Sequence, residues 1–207
     1  MAANSATEST APDYAAIYDR VIAENAGYND AHGSPGYHAC LRHAERLRGF
    51  SGRALDVGCG AGYVVSLLGM PAFGFTSYGV DVSTSGIERA RKLVPADRVV
   101  TMQPGKIPHQ DASFSLVTCF DVLEHLDEPD ILELRAEMRR VLAPQGLLFC
   151  SASLRPSASV DHNGENLHRT IRPAQWWADT FGPDEYLVRR ATEDVLLWWN
   201  KPRAIDG

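Results

Sequence analysis

The sequence contains few cysteines, no long apolar run and no excess of positive charge. Its four cysteines are scattered, at positions 40, 59, 119 and 150, without a CxxC pair. They therefore indicate neither a zinc knuckle nor a small disulfide-rich scaffold. No apolar run approaches the roughly 20 residues of a membrane span, and no signal peptide opens the chain. These absences predict a cytoplasmic protein without a membrane partner.

The charge balance of the chain is acidic. Its 207 residues include 20 Lys and Arg against 26 Asp and Glu, a formal net charge of −6. Nucleic-acid-binding proteins usually present a basic field to the phosphates, so we expect no nucleic-acid partner. The length and a hydrophobic content of 44% suffice for one α/β domain with a core. We place that domain at residues 13–207, after a disordered tail at 1–12.

Strands and helices alternate through the middle of the sequence. This alternation predicts an α/β fold with a doubly wound, Rossmann-like parallel sheet. Two later apolar runs are spaced like an antiparallel hairpin at a sheet edge, which brings the total to about seven strands. Two helices within 13–50 precede the first strand and are expected to cap the 51–207 core. The predicted strands are 53–57, 76–81, 98–102, 114–120, 147–151, 186–190 and 195–199.

A glycine-rich turn directly follows the first predicted strand, in the segment Gly58-Cys59-Gly60-Ala61-Gly62. Glycine permits a sharp turn and lets a ligand approach the backbone, and the N-terminus of the next helix offers unpaired N–H groups. Asp81 ends the second predicted strand, where an acid can accept hydrogen bonds from both hydroxyls of a ribose. The alternative for Asp81 is a cap on the following helix.

Four segments within residues 50–153 together resemble the class I S-adenosylmethionine-dependent methyltransferases. They are LDVGCGAG, YGVD, FSLVTCFDVLEHL and VLAPQGLL. The Gly-x-Gly-x-Gly spacing differs from that of dinucleotide-binding dehydrogenases, whose ligand has a pyrophosphate. The resemblance implies S-adenosylmethionine as the cofactor and S-adenosylhomocysteine as its product. The LEHL segment is similar to the same region of ubiquinone-biosynthesis O-methyltransferases.

The resemblance also implies which residues would hold the cofactor. Its amino-acid end would lie against the glycine turn near Asp56, and its ribose would meet Asp81. Val82 would flank the adenine, and Gln103 would meet the adenine edge. The full expected set is Asp56, Gly58, Gly60, Gly62, Asp81, Val82, Gln103 and Phe120.

Acidic residues and a histidine follow the fourth predicted strand, on the rim that faces the ligand crevice. In the ubiquinone enzymes and in small-RNA 3′-terminal 2′-O-methyltransferases, an acid-x-x-Glu-His pattern is associated with a divalent metal. Asp121, Glu124, His125 and His168 are therefore one alternative ligand set, suited to magnesium, manganese or zinc. We expect no metal and favour Glu124, His125 and His168 as catalytic bases or substrate contacts. A purely structural role for Glu124 and His125 is the third alternative.

A long polar loop at 153–172 follows the fifth predicted strand on the same rim, and loops of this length are usually functional or mobile. It supplies candidate substrate contacts, with a solvated loop as the alternative. Aromatic residues of the N-terminal helices are further candidates for the acceptor pocket, although their helical spacing also predicts core packing. The candidate substrate residues are Arg155, His162, Asn166, Arg169, Arg172, Tyr14 and Tyr18, with Tyr28 and Tyr37 as additional aromatics.

Together these features predict methyl transfer to a small polar acceptor, most simply a hydroxyl, carboxylate or phosphonate oxygen of a metabolite, natural product or glycan. A hydroxyl needs a base, for which His125 and His168 are candidates. The alternatives are a metal-assisted RNA or nucleotide 2′-O-methyltransferase and a non-catalytic subunit that binds S-adenosylmethionine. We expect a monomer or a homodimer.

Overall fold

A computed structural model describes residues 12–24, 33–189 and 193–200. Nearly all of the expected disordered tail, residues 1–11, lies outside this part of the chain, as does Tyr28. No helix among the described residues is long and apolar enough to cross a membrane.

Seven strands of the described residues form one sheet. They are β1 (Gly52–Val57), β2 (Phe75–Asp81), β3 (Val99–Thr101), β4 (Phe114–Cys119), β5 (Leu142–Ser153), β6 (Glu185–Arg189) and β7 (Asp194–Asn200). Their order is β3-β2-β1-β4-β5-β7-β6. Strands β1 to β5 are parallel to one another, and β7 runs antiparallel to both β5 and β6. The predicted doubly wound sheet with an antiparallel edge hairpin is confirmed.

Within the described part of the chain, seven α-helices surround the sheet. They are α1 (Tyr14–Glu24), α2 (Pro35–Arg42), α3 (Ala44–Leu47), α4 (Tyr63–Leu68), α5 (Thr84–Ala90), α6 (Glu128–Val141) and α7 (Ala174–Phe181). The second predicted helix begins earlier than the sequence pattern indicates, because Ser34 caps it and Pro35 occupies its first position. It divides into α2 and α3 at His43, whose backbone leaves the helical region.

Strand β5 is longer than the predicted 147–151, since residues 142–146 and 152–153 also belong to it. Leu142 pairs with Phe114 and Leu147 pairs with Leu116, so β5 advances five residues while β4 advances two. Gln145 takes up part of the excess in a left-handed conformation, with φ of 65°. A bulge of this kind lets the chain pass from α6 into the strand without a separate loop.

Apolar side chains pack on both faces of the sheet, as parallel strands require. One face packs against α6 and α7, around Phe114, Val117 and Trp177. The other face packs against α2, α3 and α4, and there Trp198 stacks on Phe149 with 5.0 Å between ring centroids. The burial of both strand faces fixes the register, so the carboxyl ends of the parallel strands lie along one edge.

Helix α1 crosses that edge and is attached on both sides of it. The Tyr14 hydroxyl donates to Asp130 at 2.6 Å and accepts from the backbone N–H of Asp127 at 3.1 Å, at the start of α6. The Asp19 carboxylate accepts from Ser83 Oγ at 2.7 Å and from the N–H of Ser85 at 2.8 Å, at the start of α5. The predicted cap is therefore a helix that bridges two loops of the core.

Candidate functional site

A cavity of about 540 Å³ lies outside the carboxyl ends of the parallel strands. It includes residues that follow β1, β2 and β4, so it occupies the point where the strand order reverses between β1 and β4. Open α/β sheets bind ligands at this point. Helix α1 and residues 33–36 line the outer side of the cavity and cover it. We call the covered cavity the chamber and helix α1 its roof. The chamber has two chemically different ends, one at Asp81 and one at Glu124.

The glycine-rich turn forms the wall of one end. Gly58 has a φ of 74°, and a Cβ atom at this position would lie 2.2 Å from Val122 Cγ2. Both the backbone conformation and the available space therefore require glycine at this position. Gly60 and Ala61 also line the cavity, whereas Gly62 lies outside its lining and precedes α4.

Asp81 connects this turn to the next loop. One carboxylate oxygen accepts from the N–H of Gly60 at 2.7 Å and the other accepts from the N–H of Ser83 at 2.8 Å. Ser83, whose Oγ accepts from the N–H of Gly86, is the residue that caps α5. Burial raises the pKa of Asp81, although its hydrogen bonds to backbone N–H groups oppose that shift.

Asp56 lies one strand away, at the end of β1, and also lines the cavity. Its Oδ1 accepts from the Thr118 hydroxyl at 2.6 Å. Burial raises the pKa of Asp56 to about 7, the Thr118 hydrogen bond lowers it and the charge of Asp81 raises it further. A cationic group at this end of the cavity would favour the ionised form of both carboxyls.

The other end of the cavity contains Glu124, which is fully buried. Its Oε1 accepts from the N–H of Ser153 at 2.9 Å, while its Oε2 is buried without a hydrogen-bond partner. Burial and the nearby charge of Asp121 raise the pKa of Glu124 well above its usual value. A buried carboxyl oxygen without a partner is costly, and a bound group that donates a hydrogen bond or a positive charge would satisfy it.

Two histidines stand beside Glu124 with their rings edge to face, 4.7 Å apart. His125 Nδ1 lies 2.9 Å from the carbonyl oxygen of Leu167, and His168 Nδ1 lies 2.6 Å from that of Arg155. A carbonyl oxygen only accepts, so each Nδ1 carries the proton and each neutral ring keeps a free lone pair on Nε2. Burial and the neighbouring His168 lower the pKa of His125 to about 4.

Glu124, His125 and His168 each offer one ligand atom, and these atoms lie within 4.8 Å of one another. Hydrogen bonds from Nδ1 to backbone carbonyls are the arrangement that orients histidine ligands around a metal. Asp121, the fourth residue of the alternative ligand set, instead accepts from Ser151 Oγ at 2.8 Å and has a left-handed backbone with φ of 51°. The cluster therefore offers three donors, with Asp121 outside it.

The structure brings part of the predicted acceptor set to the cavity. Tyr14, Tyr18 and Arg155 line it, and the Tyr18 ring meets His125 edge to face at 5.4 Å. Phe120 and Val82, which were predicted to contact the cofactor, line it as well. These side chains come from α1, from the residues after β2 and after β4 and from the start of the 153–172 loop, so four separate segments form one chamber.

Other predicted residues lie elsewhere. Arg169 is paired with Asp127 at 2.9 Å, and Arg172 is paired with Glu128. His162 is exposed, and Asn166 bonds to the backbone of Ser157 and His168 within the loop. Gln103 is exposed as well, and its neighbours Met102, Pro104 and Gly105 line the cavity in its place.

The sequence patterns did not single out residues 33–36, Val122 or Ser153 as site residues. Residues 33–36 line the chamber because Gly36 packs against Phe120, where a Cβ atom would lie 2.6 Å from the ring. The adjacent Ser-Pro dipeptide, a helix-start signal, was the feature that could have located this segment. Ser153 belongs to the site through its backbone N–H, for which no side-chain pattern exists.

The charged residues that line the chamber are predominantly acidic. Five of the described lining residues are carboxylic acids, and Arg155 is the one arginine or lysine among them. Two of the three arginines predicted as substrate contacts in the 153–172 loop are neutralised, because they form ion pairs with Asp127 and Glu128 at the start of α6. The acids are Asp56, Asp81, Asp121, Glu124 and Asp130. Such a chamber favours a ligand that carries positive charge.

Comparison with known families matches residues 55–150 to the model of the methyltransferase domain family. The ubiquinone biosynthesis O-methyltransferase of Actinobacillus pleuropneumoniae is 33% identical over 111 residues, which cover 49% of this chain and 46% of that protein. A probable methyltransferase of Aspergillus luteorubrus is 31% identical over 113 residues, covering 45% of this chain and 37% of the relative. The chain thus spans less than half the length of these relatives.

Solved structures share the fold at low sequence identity. The PH0226 protein of Pyrococcus horikoshii superimposes with a TM-score of 0.69 at 18% identity, covering 88% of this chain and 98% of that chain. Phosphoethanolamine N-methyltransferase 2 of Haemonchus contortus, solved in complex with S-adenosyl-L-methionine, gives a TM-score of 0.65 at 16% identity. That match covers 89% of this chain and 57% of the neighbour.

The crowding at Gly58 generates a stability prediction. Gly58→Ala should destabilise the fold by about 2–4 kcal/mol, because a left-handed alanine is strained and its methyl group overlaps Val122. Adding Val122→Ala should recover the overlap part of that loss. The measurement is urea unfolding of the single and double variants.

Gly164→Ala is the matched control, since Gly164 has a φ of 82° but a Cβ atom there would meet nothing within 4 Å. It should show the backbone strain alone, about 1–2 kcal/mol. Equal losses for Gly58→Ala and Gly164→Ala would contradict the crowding.

Proposed function

We propose that the class I S-adenosylmethionine-dependent methyltransferase domain of this chain transfers a methyl group to an oxygen atom of a small polar acceptor. The observation that carries the proposal is the division of the chamber. Its Asp81 end has the glycine turn and two buried carboxyls, and its Glu124 end has two histidines with free Nε2 atoms. One end suits a cationic cofactor, and the other suits a group that must lose a proton.

At the cofactor end, the residues fit the different parts of S-adenosylmethionine. Asp81 would accept from the ribose hydroxyls, and Asp56 would lie near the ammonium of the amino-acid part. Gly58 and Gly60 let that part approach the backbone, since a Cβ atom at Gly60 would meet nothing within 4 Å. Val82 and Met102 would contact the adenine, in place of the exposed Gln103.

At the acceptor end, the protein orients the attacking oxygen and receives its proton. S-adenosylmethionine supplies a methyl group on a sulfonium, a good leaving group, so alignment and exclusion of water are the main requirements. The Nε2 atom of His168 accepts the hydrogen bond of the acceptor hydroxyl, and the His125 ring lies beside it, 4.7 Å away. His168 acts as the base, because the low pKa of His125 makes that ring a weak proton acceptor. Glu124 stabilises the resulting imidazolium.

The acceptor is a small molecule that carries one anionic or strongly polar group. Arg155 lies at the edge of the chamber. Because the other two arginines of the loop, Arg169 and Arg172, form ion pairs, Arg155 is the loop arginine that can bind a ligand. The similarity to O-methyltransferases of Actinobacillus and Neisseria supports oxygen over nitrogen as the methylated atom. The loop 153–172 provides both Arg155 and His168, so we assign the acceptor specificity to it.

A second candidate is a metal-assisted transfer with the same fold, in which a divalent ion lowers the pKa of the acceptor hydroxyl. The unpartnered Oε2 of Glu124 and the free Nε2 atoms of both histidines favour it. A mixed carboxylate and imidazole set suits manganese or zinc. With this candidate, Glu124, His125 and His168 would be ligands, and a nucleotide ribose would be among the eligible acceptors.

Calorimetric titration with S-adenosylhomocysteine tests the cofactor site. Wild-type protein should bind with micromolar affinity, and Asp81→Ala should weaken binding by about 10-fold or more because charge-assisted hydrogen bonds to the ribose are lost. Asp97→Ala is the control, as that acid lies on an exposed 3₁₀ turn at Ala96–Arg98. Absence of binding to the wild type would refute the proposed function.

The raised pKa of Asp56 predicts a pH dependence of the same affinity. The carboxylate form binds the ligand ammonium and is lost as the pH falls through about 7, so affinity should drop about 10-fold between pH 8 and pH 6. Binding at pH 7 should release protons, seen as a heat that depends on the buffer. Asp56→Asn should bind more weakly and show neither effect, and an unchanged pH profile in that variant would exclude Asp56.

Manganese titration separates the two candidates. If the ion is used, Mn²⁺ should bind with 1:1 stoichiometry by electron paramagnetic resonance, and His168→Ala should weaken it by about 10-fold or more. Arg169→Ala, on the same loop but outside the cluster, should bind like the wild type. If no stoichiometric binding of Mn²⁺ or Zn²⁺ occurs, the metal-assisted candidate is wrong and the histidines act as bases.

A further inference from the structure

Strand β6 forms the outer edge of the sheet and carries an exposed apolar centre. It pairs with β7 on one side, and no other strand among the described residues pairs with its second side. Tyr186, Leu187 and Val188 are 43%, 46% and 38% exposed. Proteins usually protect such an edge with lysine, proline or a bulge, and the centre of β6 has none of these.

The sequence of β6 is complementary to itself in the antiparallel direction. When Leu187 stands opposite Leu187 of a second copy, Glu185 stands opposite Arg189 and Tyr186 stands opposite Val188, each pair occurring twice. Pairs of opposite charge and pairs of an aromatic with a β-branched residue are the cross-strand combinations that stabilise sheets. A register centred on Arg189 would instead place two guanidinium groups opposite each other.

The charges that flank this centre are already oriented. Glu185 is paired with Arg46 of α3 at 2.8 Å, and its side chain remains 61% exposed. Arg189 is paired with Asp194 of β7. Residues 185, 187 and 189 share one face of the strand, so the second copy would extend these pairs into a four-membered network on each side of the two-fold axis.

We propose that two copies of this chain associate through β6, antiparallel across a two-fold axis at Leu187, and so join their sheets into one of fourteen strands. A five-residue strand spans about 17 Å, which buries less surface than a permanent dimer requires. The association is therefore weak, with a dissociation constant of about 10–100 µM.

Sedimentation equilibrium from about 1 to about 300 µM tests the proposal. Wild-type protein should pass from monomer to dimer, and Leu187→Lys should remain a monomer because two ammonium groups would face each other on the axis. Leu132→Lys is the matched control, since Leu132 is 47% exposed on α6 and should dimerise like the wild type. Glu185→Lys should weaken association by about 10-fold or more, because it opposes Arg189 of the second copy.

Hydrogen exchange at residues 185–189 gives a second measurement. Amide protection there should rise with protein concentration in the wild type and not in Leu187→Lys. A monomer throughout the range would overturn the proposal, and so would protection that is already complete at 1 µM, which would mean that the chain itself covers the edge. An equal loss of association in Leu132→Lys would overturn it as well. S-adenosylhomocysteine binding by Leu187→Lys verifies the fold separately.

Discussion

The end of the chamber that contains the glycine turn depends on the carboxylate of Asp81. This single group accepts hydrogen bonds from two loops, at Gly60 and Ser83, and so fixes the glycine turn relative to the start of α5. Asp19 extends the same network from Ser83 to helix α1. A strand end, two loops and the roof are thus connected through the carboxylates of Asp81 and Asp19. Burial disfavours the ionised form of Asp81 and a cationic occupant would favour it, so under the proposed function the group that holds the architecture would also bind the ligand.

The fold was largely predictable because its determinants are local. The alternation of apolar runs with helical patterns, the hairpin spacing of β6 and β7 and the glycine turn after β1 each appear within a few residues. Where the observed bounds of helices and strands differ from the predicted ones, the difference depends on backbone conformation. The left-handed Gln145 and the break at His43 have no side-chain signature, because neither residue type is selective for the conformation it adopts.

The positions of the lining residues were predictable at the ends of strands and less predictable in the loops. Asp56, Asp81, Glu124 and His125 follow strands, and the register of the sheet brings them together. The loop residues depend on which partners their side chains find. Arg169 and Arg172 are paired with acids of α6 that lie more than 40 positions earlier, so sequence spacing could not distinguish them from Arg155. Backbone donors such as the N–H of Ser153 are invisible to any residue pattern.

The roof of the chamber has a consequence for the order in which the chain folds. Helix α1 precedes the sheet in the chain, yet its attachments are to Ser83 and Asp130, which are 64 and 116 positions later than the residues that they hold. Contacts between residues so far apart in sequence carry a large loop-closure cost until the intervening chain has folded, so we expect α1 to dock late. Because α1 contributes no strand to the sheet, its detachment would leave the strand pairing in place. Ligand exchange through such a local opening would then require less free energy than global unfolding.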